Sequence, residues 1–322
     1  MQIKPLKIGN KTIENNVFLA PMAGYTDYAF RSLELNQGIG FCFTELVSAK
    51  GLFYGAGGTK NLLYIGNNEN DKTDFCLNKE KTAVQLFGAD PYYMHYACES
   101  DELKNFDIAD INMGCPVPKV YKNGEGSALL NDIKKAEDII KECVKSGKII
   151  TVKIRIGIKD GDDIAEDFAK MAEGAGASLI TIHGRVRDAY YSGEPNYFSI
   201  AKAKKSVKIP VIANGGIFSV EDADRMINET GADGIMIARG AVDNPFLANN
   251  LLKVDQKETL KQFAISQLNK MEKLYGAKRA VLEFRKFIPH YIKHVNSAKQ
   301  TRIDLMTKEN INEIKEKLNE VL

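Results

Sequence analysis

The sequence offers little support for a disulfide framework, a zinc site or a membrane segment. Its cysteines are Cys42, Cys76, Cys98, Cys115 and Cys143, an odd, unevenly spaced set without a Cys-x-x-Cys pair. This spacing predicts neither disulfides nor a metal centre, and it favours a reducing compartment. No apolar run approaches the ~20 residues that cross a bilayer. We therefore expect no bound metal and no membrane contact.

Signals for secretion and for separate nucleotide-binding domains are also missing. Residues 1–16 contain no apolar core followed by small residues, so we expect a cytoplasmic protein. The glycines of Gly55–Lys60 lack the spacing of a Walker sequence. No Gly-x-Gly-x-x-Gly follows a predicted strand with an acid about 20 residues on. A separate dinucleotide-binding domain is therefore not expected.

Charge is distributed unevenly along the chain. The net charge of +2 combines 15 basic and 9 acidic residues in 251–322 with 29 basic and 33 acidic residues before them. Hydrophobic residues make up 44% and charged residues 27%, which is typical of a folded globular protein. The carboxy-terminal segment is therefore the basic part of the molecule.

Short apolar segments alternate with amphipathic ones through the first 245 residues. The apolar segments are Val17–Pro21, Ile39–Phe43, Ala83–Phe87, Ile108–Met113, Ile149–Ile154, Ser178–His183, Val211–Ala213 and Gly234–Ala238. Helix caps lie between them, such as Asp132 before Ile133–Val144 and Ser219 before Val220–Ile227. Eight strand–helix units predict a (β/α)8 TIM barrel over 1–245, followed by a small α-helical domain over 246–322. The least regular unit is the second, because Gly51–Lys81 shows few helical signals.

Residues that could bind a ligand or take part in catalysis lie within or just after the predicted strands, whose carboxyl ends meet on one face of a barrel. In chain order they are Pro21, Met22 and Ala23; Glu45; Gln85; Asn112 and Cys115; Lys153 and Arg155; His183, Arg185 and Arg187; Asn214, Gly215 and Gly216; and Ala238 and Arg239. Gln85 lies inside its strand. Glycines after strands seven and eight are typical of barrels that bind phosphate, because they let backbone N–H groups approach the ligand. We therefore expect an active site with a phosphate subsite on this face.

Cys115 is the strongest catalytic candidate from the residues alone. It lies in IADINMGCPVPKVYKNGEG at 108–126, where an apolar strand ends in a turn. Pro116 and Pro118 restrict the backbone, so the sulfur should be held in one direction. The alternative is that Cys115 is only a small buried hydrophobic residue, as most free cysteines are.

The predicted strand ends carry eight short motifs. They are LAPMAGYTDYAFR at 19–31, TEL at 44–46, VQLFG at 84–88, DINMGCP with Lys119 at 110–119, VKIRIG at 152–157, TIHGRVR at 181–187, PVIANGG at 210–216 and DGIMIARGA at 233–241. By these motifs the sequence resembles the tRNA-dihydrouridine synthases, and among them the bacterial B-type group. Each motif is weak alone. Eight motifs in the right order, spread over nearly the whole chain, are specific for the family.

This resemblance implies an FMN enzyme that reduces the C5–C6 bond of a uridine in tRNA, with NADPH as the reductant. Pro21, Met22 and Ala23 would line the flavin, Gln85 and Lys153 would bond its pyrimidine edge, and His183, Asn214, Gly215, Gly216, Ala238 and Arg239 would complete the cofactor site. Cys115 would donate a proton, and Asn112, Arg155, Arg185 and Arg187 would contact the substrate. NADPH and tRNA would use the same pocket in turn. No metal or obligate protein partner is implied.

General chemistry agrees with these roles, although purely structural roles are also open. A positive Lys153 at the flavin N1–C2 edge would stabilise the anion formed on reduction. A thiol with a pKa of ~8.5 is mostly protonated at neutral pH and can donate a proton. Lys153 and Arg155 could instead extend into solvent from a strand end, and His183 could simply cap its strand. Gln85 in an apolar strand needs a hydrogen-bond partner.

The tail predicts three helical segments, Asp255–Tyr275, Ala277–Val295 and Thr307–Leu322. In the second, the spacing of Lys278, Arg285, Lys286 and Lys293 predicts one shared basic face. Such a face is usually only solvated, but beside a nucleoside-reducing barrel it predicts a contact surface for the RNA backbone. Pro289 should bend or end this helix.

Three departures from the family pattern and three different functions remain open. The family more often has Thr at the position of Val186, an acidic residue at that of Gly216 and His at that of Phe287. None of these differences affects the residues assigned to catalysis.

Lys153 could form a Schiff base in a lyase or aldolase. The chain could also be a non-catalytic tRNA-binding barrel, or another FMN-dependent oxidoreductase such as a dihydroorotate dehydrogenase-like enzyme. The absorption spectrum of the purified protein would identify a bound flavin.

Overall fold

A computed structural model describes residues 1–66 and 72–322 of the chain. An antiparallel hairpin, β1 (Leu6–Ile8) and β2 (Lys11–Ile13), precedes an eight-stranded parallel sheet. The sheet strands are β3 (Val17–Leu19), β4 (Cys42–Ser48), β5 (Thr82–Phe87), β6 (Ile108–Met113), β7 (Ile149–Arg155), β8 (Leu179–His183), β9 (Val211–Asn214) and β10 (Gly234–Ile237). Their order is β3-β10-β9-β8-β7-β6-β5-β4, and a parallel bridge between Phe18 and Phe41 joins the two ends. The predicted (β/α)8 barrel is confirmed.

Helices follow each barrel strand. β3 is followed by Tyr28–Asn36, and β4 by Ala49–Phe53, Thr59–Leu62 and Lys72–Lys81. β5 is followed by Pro91–Glu99 and the 3₁₀ turn Asp101–Leu103. β6 is followed by Pro118–Lys122, the 3₁₀ turn Gly126–Asn131 and Ile133–Val144. β7 is followed by Ala165–Gly174, β8 by Tyr197–Ser206 and β9 by Val220–Thr230. β10 is followed by Arg239–Asp243 and Leu247–Leu252. The predicted caps are confirmed, since Asp132 accepts from the Lys135 amide and Ser219 forms a capping box with Asp222. No helix in the described ranges is long and apolar enough to cross a membrane.

The amino-terminal end of the barrel is closed by apolar side chains. Phe18, Phe41 and Phe43 pack together inside it, with ring centroids 5.5 to 6.3 Å apart. Leu6 and Ile13 of the hairpin belong to the same buried cluster. The hairpin was not predicted from the sequence. Because it fills this end, the opposite end at the strand carboxyl termini is the one left for a ligand.

The second strand differs from its prediction. It spans Cys42–Ser48 rather than Ile39–Phe43, and its pairing with β5 shifts register between Phe43 and Leu46. Glu45 therefore lies within the strand and not after it. The irregular pairing hides the strand from a search for regular alternation. Residues 67–71 of the poorly predicted Gly51–Lys81 unit lie outside the described residues.

The tail is helical, but its helices differ from the prediction. They are Leu260–Tyr275, Ala277–Phe284, Ile288–Tyr291, Ala298–Thr307 and Ile311–Val321. The continuous Ala277–Val295 helix is wrong, because the chain turns after Phe284 and Pro289 lies in the first turn of the next short helix. Ala298–Thr307 was not predicted.

The tail packs on the first barrel helix through aromatic side chains. Phe30 of Tyr28–Asn36 contacts Phe263 and Phe287, with centroid distances of 6.3 and 5.4 Å. Leu247–Leu252 contacts the barrel helix Val220–Thr230. The division at residue 246 stays a prediction. These contacts fix the tail against one side of the barrel mouth.

Candidate active site

A cavity of about 780 Å³ opens at the carboxyl ends of the barrel strands. Most of the predicted site residues line it: Pro21, Met22, Ala23, Gln85, Asn112, Cys115, Lys153, Arg155, His183, Asn214, Ala238 and Arg239. They come from distant parts of the sequence and meet because parallel strands end on the same face. The strand ends therefore form one site.

Gly215 and Gly216 lie behind this lining, in a tightly packed part of the wall. Both have positive φ angles, +118° and +70°. A Cβ at Gly215 would lie only 2.7 Å from the His183 ring, and one at Gly216 would lie 3.6 Å from Arg185 Nη2. Glycine is required at Gly215 because no side chain fits between the backbone and the ring.

The buried floor contains a hydrogen-bonded network that starts at Gln85. The side-chain nitrogen of Gln85 donates to Asp110 Oδ2 at 2.7 Å, and the side-chain oxygen of Gln85 accepts from Asn112 Nδ2 at 2.9 Å. Thr151 donates to Asp110 Oδ1 at 2.6 Å. Burial raises the pKa of Asp110 to about 6. Asp110 was not singled out from the sequence, although a carboxyl group within an apolar strand is a signal that could have identified it.

The loop after β6 holds Cys115 at the edge of this network. Its backbone N–H donates to Asn112 Oδ1 at 2.9 Å, and its carbonyl accepts from Ser127 Oγ at 2.8 Å. The residue is 7% exposed and lines the cavity. Burial raises the pKa of its thiol, so the group is protonated at neutral pH. Cys115 therefore reaches the cavity, and its catalytic role stays a prediction.

Positive charge is concentrated at the ends of β7 and β8, beginning on the strand next to the one that precedes Cys115. Lys153 Nζ donates to Asn214 Oδ1 at 3.0 Å, and burial, followed by the charge of Arg155, lowers the pKa of Lys153 to about 8. The pKa of His183 is held well below its usual value, first by burial and then by Arg155, Lys153 and other nearby cations. His183 is therefore neutral, and the surrounding cations favour an anionic ligand.

The three predicted substrate arginines have different environments. Arg155 donates to the carbonyls of Gly114, Val186 and Tyr190 at 2.9 to 3.1 Å and so joins two loops at the mouth. Arg185 donates to Gly193 O at 2.7 Å. Arg187 pairs with Asp188 at 2.6 Å, and its guanidinium lies 3.9 Å from the Tyr121 ring centroid. Only Arg155 of the three lines the cavity.

The continuous helix on which the shared basic face of the tail was predicted is wrong. Arg285 donates to the Lys308 carbonyl at 3.1 Å. Lys286 pairs with Glu283 at 2.7 Å and lies 5.8 Å from the Tyr25 ring centroid. Lys278 is exposed. The helix ends at Phe284, so its periodicity does not continue through the later basic residues; their contact with RNA stays a prediction.

Asp27 and Glu45, whose roles the sequence left open, hold the first loop and the tail in place. Asp27 caps the helix Tyr28–Asn36 and accepts from the Tyr275 hydroxyl at 3.2 Å. Burial raises the pKa of Asp27 to about 6. Glu45 accepts from the Gly24 N–H at 2.5 Å. Both contacts orient the loop that carries Pro21, Met22 and Ala23.

Several residues at the rim of the cavity were not predicted. They are Tyr25, Tyr190, Tyr191, Phe218, Asp243 and His290. They lie on loops, on a short helix and on the tail, where no strand period marks them in the sequence. Arg239 lies 4.3 Å from the Tyr191 ring centroid and 5.4 Å from that of Phe218. The mouth is therefore partly aromatic. Across 1–66 and 72–322 no group of three or more His, Cys, Asp or Glu residues could hold a metal ion.

Solved structures with a similar fold have low sequence identity. One is a variant of NCR from Zymomonas mobilis, at 15% identity and a TM-score of 0.55, covering 82% of this chain and 96% of that one. Another is histamine dehydrogenase from Rhizobium sp. 4-9, at 14% identity and a TM-score of 0.55, covering 83% of this chain. The chain spans 50% of that dehydrogenase. At these identities the likeness concerns the fold alone.

Sequence comparisons are more specific. The family model for dihydrouridine synthase matches residues 18–322. The tRNA-dihydrouridine synthase B of Vibrio parahaemolyticus is 33% identical over 92% of this chain and 92% of its own length. That of Pasteurella multocida is 32% identical over 90% of this chain and 87% of its own length. The predicted resemblance is confirmed, and the chain is an enzyme that belongs to the dihydrouridine synthase family.

Proposed function

We propose that this enzyme reduces the C5–C6 bond of a uridine in tRNA to give 5,6-dihydrouridine, with FMN as cofactor and NADPH as reductant. The observation that carries the proposal is the Cys115 thiol on the wall of a cavity whose floor holds Lys153, Arg155 and Arg239. The named relatives act on tRNA, which supports the substrate class.

The floor residues fit a flavin nucleotide. Lys153, Arg155 and Arg239 supply positive charge around a neutral His183, as an anionic ligand requires. Gln85 uses one of its two amide hydrogens on Asp110 and keeps the other for a ring acceptor. Glycine at 215 and 216 would let backbone N–H groups approach a phosphate. A cationic Lys153 would stabilise negative charge at the pyrimidine edge of the ring.

Cys115 would act as the general acid. Bound FMN, reduced by NADPH, would supply the hydride that adds to C6 of the uracil. The Cys115 S–H bond would break as its proton is transferred to C5, and the thiolate would recover a proton from water. The raised pKa of the thiol keeps the proton available at neutral pH. Asn112 fixes the backbone of Cys115 and thereby the position of the sulfur.

The substrate base must leave its stack to reach this cavity. Lys278, Arg285 and Lys286 would contact the tRNA backbone, together with Arg155, Arg185 and Arg187 at the mouth. NADPH would enter the same cavity in turn with tRNA. A cytoplasmic location follows from this substrate.

A Schiff-base enzyme is the second candidate, and one observation favours it. The pKa of Lys153 is lowered to about 8, and a nucleophilic lysine needs such a shift. Family membership argues for the synthase instead. The test is the absorption spectrum of the purified protein, followed by mapping of dihydrouridine in unmodified tRNA after incubation with FMN and NADPH. A well-folded protein that neither contains nor binds FMN would exclude the synthase.

A further inference from the structure

His290 and Asp243 form a pair at the rim of the cavity that the proposed chemistry does not use. His290 Nδ1 lies 2.5 Å from Asp243 Oδ1. Asp243 ends the short helix that follows β10, and His290 lies in the tail helix Ile288–Tyr291. Both side chains line the cavity. The tail therefore contributes directly to the wall of the site.

The other ring nitrogen of His290 has no protein partner among the described residues. The side chain is 30% exposed, and the Tyr25 ring packs against it edge-on, with centroids 6.4 Å apart. Asp243 and Tyr25 thus fix the plane of the ring. The contact through Nδ1 leaves Nε2 for a group inside the cavity.

Barrel topology puts this pair across the mouth from Cys115. Along the strand order, β10 is four strands from β6 in one direction, through β9, β8 and β7. It is also four strands away in the other direction, through β3, β4 and β5, because Phe18 and Phe41 close the ring. Cys115 follows β6 and Asp243 follows β10. A base between them would be held at two opposite edges.

We propose that His290, oriented by Asp243, is a positioning residue that hydrogen-bonds the target uracil through Nε2 and so holds C5 against Cys115. In the tautomer whose Nδ1–H donates to Asp243, Nε2 is an acceptor. The N3–H is the single ring donor of uracil in RNA, and cytosine lacks it. The pair therefore also favours uridine over cytidine. This inference rests on the proposed function.

The test compares His290→Phe with His290→Gln in the FMN-loaded enzyme acting on unmodified tRNA. Phe keeps a ring without an acceptor, so kcat/KM for tRNA should fall roughly 10–100-fold, the effect of leaving one buried partner unpaired. Gln offers an amide oxygen near the position of Nε2 and should restore most of the loss. The loss of kcat/KM for tRNA in His290→Phe should exceed any change in the rate of NADPH oxidation with oxygen as acceptor, since that reaction contains no uracil. His294→Phe, an exposed tail histidine, is the matched control and should behave as wild type.

Two further readouts separate positioning from folding. Circular dichroism and FMN content should match wild type in every variant, and equilibrium tRNA affinity should fall less than kcat/KM, because one base contact is lost among many backbone contacts. If wild type makes dihydrouridine and His290→Phe retains its kcat/KM, the inference is wrong while the proposed function stands. An equal loss in Gln and Phe would also overturn it. If wild type makes no dihydrouridine, the proposed function itself fails.

Discussion

The floor and the rim of the cavity are built differently. On the floor, Gln85 and Asp110 are fully buried, and their polar atoms bond to other side chains. At the rim, Tyr191 is 54% and Phe218 is 42% exposed. The floor carries charge in a largely buried environment, where electrostatic interactions are stronger than in water. The rim offers aromatic surface and a histidine to solvent.

This difference suggests two kinds of ligand. A preorganised, buried and cationic floor suits a resident cofactor, because the cost of ordering its groups is met when the protein folds. An exposed aromatic rim suits a ligand that arrives and leaves, such as an unstacked base, which can stack on any aromatic ring. Changes on the floor should therefore affect cofactor binding, and changes at the rim should affect tRNA.

The largest effect is expected at Cys115, which lies between the two regions. Cys115→Ala removes the acid without removing a charge, so the barrel should fold and bind FMN. Uridine reduction should drop by roughly 10²–10⁴, the usual contribution of a positioned general acid. Flavin reduction by NADPH should stay near normal, because that step does not protonate uracil. Single-turnover dihydrouridine formation measures the first rate, and loss of flavin absorbance measures the second.

Cys76→Ala is the matched control, because Cys76 is exposed. Cys115→Ser tests acidity itself, since a hydroxyl is a far weaker acid than a thiol in the same place. A normal single-turnover rate in Cys115→Ala would make the thiol structural.

The next effect is expected on the floor. Lys153→Met removes the charge while keeping similar bulk, so FMN affinity should fall roughly 10–100-fold, because hydrogen bonds to charged groups contribute about 1.5–3 kcal/mol. The pKa of about 8 adds a signature: Lys153 is cationic below that pH and loses its charge above it. Wild-type FMN affinity should therefore decline from pH 7 to 9, whereas that of Lys153→Met should stay flat.

His183 should not contribute to this pH dependence, since its lowered pKa keeps it neutral throughout the range. Lys205→Met, at an exposed position on an outer helix, should leave both the affinity and its pH dependence unchanged. If FMN affinity changes with pH in the same way in wild type and in Lys153→Met, Lys153 does not belong to the cofactor site.

A smaller effect is expected in the tail, which lies beyond the rim. Reversing the charges of Lys278, Arg285 and Lys286 should weaken tRNA binding and reduce the slope of log affinity against log salt by about one per lost phosphate contact. FMN content should not change. Arg285 also holds the Lys308 carbonyl, so its single variant should lower tail stability, whereas Lys278→Glu should act on RNA alone. Lys205→Glu is the charge-matched control, and an unchanged salt slope in the triple variant would leave these residues merely solvated.

The fold was predictable where local pattern and topology agree. β6 has the same bounds, Ile108–Met113, in the sequence and in the structure, because a buried parallel strand is a continuous apolar run. β4 was misplaced because an irregular pairing interrupts its pattern. The helix Ala298–Thr307 was missed because it buries only Thr301 and Leu305, too few positions for a visible stripe.

The same reasoning separates the two regions of the site. Gln85, Lys153 and Asn214 could be identified because a polar residue in a buried strand needs a partner, and strand ends of a barrel converge. Asp243 and His290 could not, since they lie far apart in the sequence and meet where the helix Arg239–Asp243 contacts the tail helix Ile288–Tyr291. The sequence pattern predicts the residues whose positions are fixed by the barrel strands. It does not predict the residues of the rim, because their positions depend on tertiary contacts between distant segments.

The smallest effect is expected from Tyr191 at the rim, and it tests the comparison most directly. Arg239 lies 4.3 Å from its ring centroid, an exposed cation–π contact that contributes about 0.5–1 kcal/mol. The ring is also exposed, so an unstacked base can pack on it. Loss of an interaction of this size in Tyr191→Ala should lower kcat/KM for tRNA by roughly two- to fivefold and leave FMN affinity unchanged, whereas Tyr191→Phe should keep wild-type values. Phe198→Ala is the control, because Phe198 is an exposed ring beside Lys202 on an outer helix. A loss of FMN affinity as large as that of Lys153→Met would mean that Tyr191 holds Arg239 on the cofactor. Tyr191 would then act in cofactor binding, and the division between rim and floor would fail at this residue.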